Sequence, residues 1–307
     1  MKKLLSIILI FILSITSFAC TGLDLQYNLS LDNPQSWSAT GYERSEYLVE
    51  KKNANGVVLG TGSLVITIDE DTARTNASGS NTKYSVVTTS FTFTENGVTD
   101  TIESSASFID YSMFCVYSEK TARYGGNNAS KSYSFTCDYE NDKKAVIKTG
   151  ANLEDTTILS TSELGTGIYD NETLYYLARA FNLNEQTYGN FLLTNVYDSY
   201  LAGQMHSYDI YYRTETGINL DGFSATQLGD WGITQTMGKF PAYKVSLSIN
   251  NTLAGPPVEL WYSASDRVLT HGNKKILAKI KTTSYAVPDT TVDFTMEYTL
   301  SSYTSAK

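Results

Sequence analysis

Strand-length runs separated by short turns recur along this chain, and they constrain its fold more than any other feature. Two turns that contain the dipeptide Asn-Gly, at residues 53–56 and 95–97, each lie between two such runs. Asn-Gly in this setting is the strongest local signal for a β-hairpin, because both residues tolerate positive φ angles. The order of the runs predicts an antiparallel meander. They cover residues 42–52, 57–69, 84–94, 98–108, 190–197, 205–214, 242–249, 258–262, 275–282 and 292–300.

The placement of proline supports long, continuously paired strands. The five prolines leave residues 35–240 without any. Proline removes a ladder donor and is confined to sheet edges and bulges, so its absence favours uninterrupted strands. The 23 tyrosines also favour strands over helices. Because no linker, composition break or fixed-period repeat divides the chain, we expect a single domain.

One segment has the periodicity of a helix. Leu174, Leu177, Ala178 and Phe181 follow the i, i+3, i+4, i+7 spacing of an amphipathic helix, and Asp170 suits its N-cap. Core packing against the sheet is the more common role for so narrow an apolar stripe. The alternative is that these four residues line a cavity for an apolar ligand. Both interpretations predict one short helix against one face of the sheet.

The first twenty residues have the pattern of an export signal. Two lysines precede the apolar run 4–18, which ends in small residues before Cys20. The run is shorter than the about 20 residues of a membrane-spanning helix. A basic start, an apolar centre and a small-residue cleavage site are typical of a secretory signal peptide. We therefore expect a signal peptide over residues 1–19 and a single exported domain over residues 20–307, in the periplasm or the cell envelope.

Two kinds of cleavage before Cys20 remain open. An ordinary signal peptidase would release a soluble protein, whereas a lipoprotein peptidase would leave Cys20 acylated and tethered to a membrane. Ala19 suits both enzymes, but Ser17 stands where lipoprotein signals usually have leucine. A lipid anchor through Cys20 is therefore an alternative to a secreted protein.

The charge balance argues against nucleic acid as a partner. The chain has 32 acidic against 23 basic residues and a net charge of −9. Phosphate backbones are bound by concentrated lysine and arginine, and the sequence has no basic stripe. No second apolar run reaches the length of a membrane span. The oligomeric state is not indicated by any pattern in the sequence.

Two cysteines are placed symmetrically about a predicted turn. Cys115 and Cys137 are equally distant from Gly126, which lies in the turn cluster 124–128. A hairpin centred there would place the cysteines opposite each other and sort apolar from polar residues. Directly opposed cysteines lie within disulfide reach, and exported proteins meet oxidising conditions. The spacing predicts a Cys115–Cys137 disulfide, with two free buried thiols as the alternative.

The sequence contains no motif for catalysis, a metal or a cofactor. His206 and His271 lie in separate segments without metal-ligand spacing. Gly60-Thr61-Gly62-Ser63 superficially resembles a nucleophile elbow, although Ser63 more commonly starts a strand in this context. The phosphate-binding pattern GxxxxGK[ST] does not occur. We therefore expect a protein that is not an enzyme and has no metal or cofactor.

Four blocks, taken in order, resemble a family of exported bacterial proteins of unknown function. The resemblance implies the open half-barrel of lipoprotein carriers: a mainly β protein with a single curved antiparallel sheet and one short helix packed on its concave side. It also implies that the concave face holds an acyl chain or another apolar ligand, with the helix as its lid. It transfers no catalytic residue. The blocks are Phe108–Lys120, Phe135–Val146, Tyr169–Arg179 and Gly238–Tyr262.

These observations support three functions. The leading one is an exported, non-enzymatic envelope protein that binds a lipid or other apolar ligand in the half-barrel. The alternative is a surface adhesin or carbohydrate-binding protein with exposed tyrosine and tryptophan, for which Trp37, Trp231 and Trp261 are candidates. The third is a hydrolase, because a glycosidase needs only two carboxylates. A large apolar pocket under the helix favours the first, and a flat row of exposed aromatic rings favours the second.

Overall fold

The structure is a computed structural model that describes most of the chain. The expected signal peptide and Cys20 lie outside the described residues, as do Trp37, Trp231 and His271. The described residues are 29, 31, 41–75, 81–109, 112–182, 188–220, 226–228, 234–236, 240–249, 258–264, 275–282 and 294–306.

The described residues are mainly β-strands. The strands are β1 (Tyr42–Asn53), β2 (Val58–Thr75), β3 (Asn81–Glu95), β4 (Val98–Phe108), β5 (Cys115–Arg123), β6 (Tyr133–Asp138), β7 (Lys144–Thr149), β8 (Asp155–Ser160), β9 (Tyr169–Asp170), β10 (Tyr188–Thr194), β11 (Ser207–Leu220), β12 (Thr226–Leu228), β13 (Thr234–Thr236), β14 (Phe240–Ile249), β15 (Val258–Ser263), β16 (Leu277–Thr282) and β17 (Phe294–Ala306). The α-helices are α1 (Leu174–Leu177) and α2 (Val196–Ala202).

These strands belong to one sheet with two halves. Strands β1 to β8 form consecutive antiparallel hairpins. The second half runs in the order β10, β11, β14, β15, β16, β17, again antiparallel. The halves join where β17 pairs with β1, and the short β9 and β12 add parallel pairings. The antiparallel meander and the single sheet, open and not closed into a barrel, are confirmed.

The two predicted Asn-Gly turns have the expected backbone. Gly56 has a φ of 77°, and Asn96 and Gly97 have φ of 51° and 77°. Positive φ is inexpensive for glycine and tolerated by asparagine, so these turns connect β1 to β2 and β3 to β4 without strain. The hairpin prediction is confirmed at both places.

Alternation along the strands separates an apolar inner face from a polar outer face. Leu64, Ile66 and Ile68 of β2 are buried, and Ile66 is opposite Thr89 in the register of β2 with β3. The outward Thr67 is opposite Thr88, and their hydroxyls are hydrogen bonded. Successive side chains of a strand point to opposite faces, so one face of the sheet forms the core and the other meets water.

The segment that resembled a nucleophile elbow lies inside strand β2. A Cβ atom on Gly60 would come within 2.7 Å of the ring carbon Cζ of Phe93. Phe93 is buried on the inner face and stacks on Phe91, with ring centroids 6.1 Å apart. Glycine at position 60 therefore makes room for an aromatic ring of the core, which is a packing role.

The predicted helix is present on the inner face, and only four of its residues are α-helical. 3-10 turns at Asn171–Thr173 and Ala178–Ala180 extend α1 on both sides, and we call residues 171–180 the α1 segment. The Asp170 carboxylate accepts a hydrogen bond from the Glu172 backbone N–H at 2.7 Å, as an N-cap should. The Tyr176 ring contacts Phe108 of β4, with centroids 5.4 Å apart. The segment therefore packs directly on the sheet.

A second helix replaces the end of a predicted strand. The run 190–197 was predicted as strand, but β10 ends at Thr194 and α2 begins at Val196. The Asn195 side chain accepts hydrogen bonds from the next two free N–H groups, and Gly203 ends the helix with a φ of 77°. An asparagine N-cap and a glycine after the last turn are the standard helix boundaries, and here they outweigh the strand propensity of the intervening residues.

The predicted register around the two cysteines is wrong. Strand β5 pairs with β6 so that Ser118, not Cys115, lies opposite Cys137, and Cys115 pairs with Phe108 of β4 instead. The physical reason is the connection, because a 3-10 turn over Gly126–Lys131 replaces a tight turn centred on Gly126. Both cysteines are free, buried thiols in the structure.

Candidate functional site

A cavity of about 350 Å³ lies between the inner face of the sheet and the two helices. Strands from both halves of the sheet form one wall, and the α1 segment and the start of α2 form the other. Its size falls within the range of ligand pockets, which begins at about 300 Å³. Its lining divides into an apolar part and a charged part.

The apolar part is built by neighbouring strands of the inner face. Leu64, Phe91 and Ile102 are in register across β2, β3 and β4. Tyr298 of β17 contacts Phe91, with ring centroids 6.2 Å apart. Leu174 of α1 lines the cavity from the opposite side. This part therefore presents aliphatic and aromatic carbon to an occupant.

The charged part is centred on an ion pair between the sheet and the α1 segment. Lys120 Nζ donates to Glu172 Oε1 at 2.9 Å, and the side chains are 17% and 7% exposed. Burial alone would lower the pKa of Lys120, but the Glu172 carboxylate outweighs burial and holds that pKa above its ordinary value. Lys120 is therefore a charged group on the inner face, and the Glu172 carboxylate compensates its charge.

A stacked tyrosine pair and a third charge adjoin this ion pair. The Tyr133 and Tyr197 rings are stacked with centroids 3.8 Å apart, and both line the cavity with Asp198. Burial raises the pKa of Asp198, while His206 and Lys120 act in the opposite direction. The pKa of Tyr133 is also raised, first by burial. The charged part thus combines one lysine, two carboxylates and two aromatic rings.

A buried carboxylate fixes the start of the α1 segment. Asp170 is 1% exposed and accepts hydrogen bonds from the hydroxyls of Ser118, at 2.7 Å, and Tyr139. Burial raises its pKa to about 6, and Glu172 adds to the shift. This carboxylate joins β5, the residue just after β6 and the α1 segment, and so it positions Glu172 at the cavity.

The two thiols near Asp170 are poor nucleophiles. Burial raises the pKa of Cys115, and the neighbouring Asp170 charge raises it further. The pKa of Cys137 is raised by the same two causes in the same order. Because the thiolate is the reactive form, both sulfurs remain protonated and unreactive at neutral pH.

The other end of the α1 segment is fixed as well. Arg179 Nη1 and Nη2 donate to the two carboxylate oxygens of Glu43 in β1, at 2.7 and 3.2 Å. Tyr262 Oη donates to the Tyr175 carbonyl at 2.6 Å, and Lys275 Nζ donates to the carbonyl oxygen just after the segment, at 2.7 Å. The α1 segment is therefore bonded to the sheet along its whole length.

The structure separates the four residues predicted to line a ligand. Leu174 lines the cavity, whereas Leu177, Ala178 and Phe181 are fully buried in the core. Sequence reasoning missed Lys120, although a lysine among the inward positions of an alternating strand is a usable signal. The residues from α2 were missed because the predicted strand 190–197 covers its first two residues and the remaining ones have no predicted element.

A larger depression of about 700 Å³ lies on the outer face of the sheet. Short hydroxyl side chains, such as Thr88, Ser105, Thr121 and Ser134, form much of its floor. Neither helix contributes to its lining, so it is bounded by the sheet itself. The inner cavity is enclosed by elements on two sides and is the better candidate for a binding site.

Other site types are limited by what the described residues contain. Within the described ranges, no group of three or more His, Cys, Asp or Glu residues is arranged to hold a metal ion. In the same ranges no helix is both long and apolar enough to cross a membrane.

Trp261, a candidate for carbohydrate binding, is among the described residues. Its ring lies between Lys244 and Lys279, whose Nζ atoms are 5.7 and 5.5 Å from the ring centroid.

Two solved structures are similar to this chain. One is a β-barrel-like protein of the domain of unknown function DUF1849 from Brucella abortus, with 10% identity, a TM-score of 0.49 and coverage of 88% of this chain and 99% of that one. The other is a "putative lipoprotein" from Parabacteroides distasonis, with 8% identity, a TM-score of 0.22 and coverage of 87% and 97%. No protein-family model and no curated protein matches the sequence. Neither similarity assigns the chain a family or a function.

Proposed function

We propose that this chain is an exported, non-enzymatic envelope protein that binds a small amphipathic ligand on the inner face of its half-barrel. The observation that carries the proposal is the cavity between the sheet and the helices, with an apolar part and a charged part. The apolar body of the ligand lies against Phe91, Ile102 and Leu174. Its polar end lies beside Lys120 and Glu172.

The contrast with the rest of the inner face supports a binding role. Beneath the α1 segment the core is filled, because Leu177 and Phe181 are fully buried. Beside this filled core, the space of about 350 Å³ is a cleft of the size that small ligands occupy. The Lys120–Glu172 pair is largely shielded from water, and an occupant with a polar end adds a further polar neighbour to it.

The state of the buried thiols and of Asp170 supports a non-enzymatic role. The buried thiols are protonated, and Asp170 is enclosed by its hydrogen-bond donors and faces the packed interior. Export and the membrane tether through Cys20 rest on the sequence pattern of residues 1–20. Mass spectrometry of the protein isolated from its own envelope tests both, since it measures the N-terminal residue, any acyl group and any retained ligand.

The binding proposal is tested with N-phenyl-1-naphthylamine, an uncharged apolar fluorophore. Wild-type protein is expected to bind it saturably with one site. Ile102→Trp fills the apolar part of the cavity and is expected to abolish binding while the circular dichroism spectrum is retained. Ile158→Trp is the matched control, because Ile158 is 63% exposed on β8, and it should bind as wild type does. Wild-type protein that never binds the fluorophore, or equal binding by Ile102→Trp, would contradict the proposal.

A further inference from the structure

The charged part of the cavity has more negative than positive groups. Among the described side chains that line it, Lys120 is basic, whereas Glu172 and Asp198 are acidic. Lys120 and Glu172 form an ion pair at 2.9 Å. The Asp198 carboxylate has no ion-pair partner within 4.0 Å among the described residues. An occupant therefore meets a compensated pair and one carboxylate whose charge is not compensated by contact.

Asp198 lies in the first turn of α2, where the helix N-terminus favours a negative charge, but burial acts against its charged form. It is partly removed from water, which is why burial raises its pKa. An opposite charge in contact would offset this cost, because ionic interactions strengthen as the local dielectric falls. The structure provides that carboxylate with a lysine and a histidine only as more distant charges.

The aromatic rings beside Asp198 favour the same kind of group. Tyr133 and Tyr197 form a stacked pair, and Tyr200 continues it with a centroid distance of 5.8 Å from Tyr197. Aromatic faces attract cations by about 0.5–2 kcal/mol, and groups of aromatic rings surround bound ammonium ligands in many proteins. Tyrosine hydroxyl oxygens also accept hydrogen bonds from N–H donors.

We infer that the ligand of this cavity is an amphipathic amine, whose ammonium group contacts Asp198 and the tyrosine pair while its apolar body lies against Phe91 and Ile102. The inference rests on the proposed function and narrows its ligand class. A fatty acid fits poorly, since its carboxylate would lie among Glu172 and Asp198 while the one lysine is already paired. The site therefore discriminates by the sign of the head group.

The test compares three ligands that share one chain and differ in charge. Octylamine, 1-octanol and octanoate are titrated into the full exported domain by calorimetry at pH 7 and low salt. Octylamine is expected to bind on the order of tenfold more tightly than octanol, and octanoate more weakly than octanol. Asp198→Asn should remove the preference for the amine and leave the affinity for octanol unchanged. Asp209→Asn is the control, because Asp209 is an exposed carboxylate on β11.

The outcomes separate this inference from the proposed function. If octanol and octanoate bind as tightly as octylamine, or Asp198→Asn keeps the preference, the head-group assignment is wrong and the binding proposal stands. If none of the three ligands binds saturably to wild-type protein, both fail. The wild-type series by itself decides whether the cavity binds and whether it prefers the amine, so these two results do not depend on how well the variant folds.

Discussion

The buried ion pair between Arg179 and Glu43 allows a quantitative test of how the α1 segment is held on the sheet. The side chains are 5% and 2% exposed, and Tyr303 also hydrogen bonds to Glu43. Breaking such a pair by removing one partner costs about 3–5 kcal/mol, because a charge is left in the core. We expect Arg179→Met, which keeps most of the side-chain volume, to lower the free energy of unfolding by this amount at pH 7.

Two further measurements identify the cause of that loss. In Arg179→Met the folded state can bind a proton at Glu43 that the unfolded chain releases, so stability falls as pH rises. Lowering the pH from 7 to 5 should therefore restore up to about 1.4 kcal/mol per pH unit relative to wild type. Adding Glu43→Gln removes the second charge and keeps an acceptor for Tyr303. The double variant should recover at least about 2 kcal/mol of the loss.

The assay is urea denaturation followed by circular dichroism, with a control from the neighbouring residue. Arg44 lies next to Glu43 on β1, but it points to the outer face and pairs with Glu46, and both side chains are 42% exposed. Exposed pairs contribute about 0–1 kcal/mol, so Arg44→Met should remain within that range of wild type. A loss below 1 kcal/mol in Arg179→Met, or a double variant whose loss equals the sum of the single ones, would refute the reasoning.

Three other predictions test separate parts of the molecule. Burial raises the pKa of Asp170 to about 6, so between pH 4 and 6 the folded state holds a proton that the unfolded chain releases. As the pH rises from 4 to 6, the free energy of unfolding of wild type should therefore fall by about 1–3 kcal/mol relative to Asp170→Asn in urea titrations. Cys115 and Cys137 should resist iodoacetamide until the protein is unfolded, and a disulfide-linked peptide pair in a non-reducing digest would contradict the free thiols. Leu177→Asp should destabilise the fold by several kcal/mol because it buries an unpaired charge, whereas Leu201→Asp, at a side chain 66% exposed, should leave the urea midpoint unchanged.

Local features of the fold were predictable from the sequence. The hairpin of β3 and β4 follows from the Asn96-Gly97 turn between alternating runs, and β4 has the predicted bounds of Val98–Phe108. The α1 segment follows from the spacing of Leu174 and its neighbours, with Asp170 as the cap. These features depend on interactions between residues close in the chain, which propensity and periodicity describe directly.

Features that join distant parts of the chain were not predictable in the same way. The residue that lies opposite Cys137 depends on the conformation of the connection between β5 and β6. That connection is a 3-10 turn and not the tight turn that the sequence predicts. The cavity depends on Lys120 from β5 meeting Glu172 from the α1 segment, and nothing in either local pattern indicates the other. Asn195 and Gly203 are a local signal for the two ends of α2. The strand propensity of the residues between them favoured the wrong interpretation.

The pairing of β1 with β17 has a consequence for how the protein reaches its native state. This ladder joins the first and last long strands in the middle of the sheet, with Lys52 opposite Thr295 and Tyr42 opposite Ala306. Contacts of such high sequence separation form slowly, because the entropy cost of closing the intervening loop comes before the stabilisation from the contacts themselves. Until the last residues are available, β1 and β16 each present an unpaired edge that can pair with another molecule. A chain cut before β17 should therefore self-associate, and refolding should slow when chains meet at high concentration.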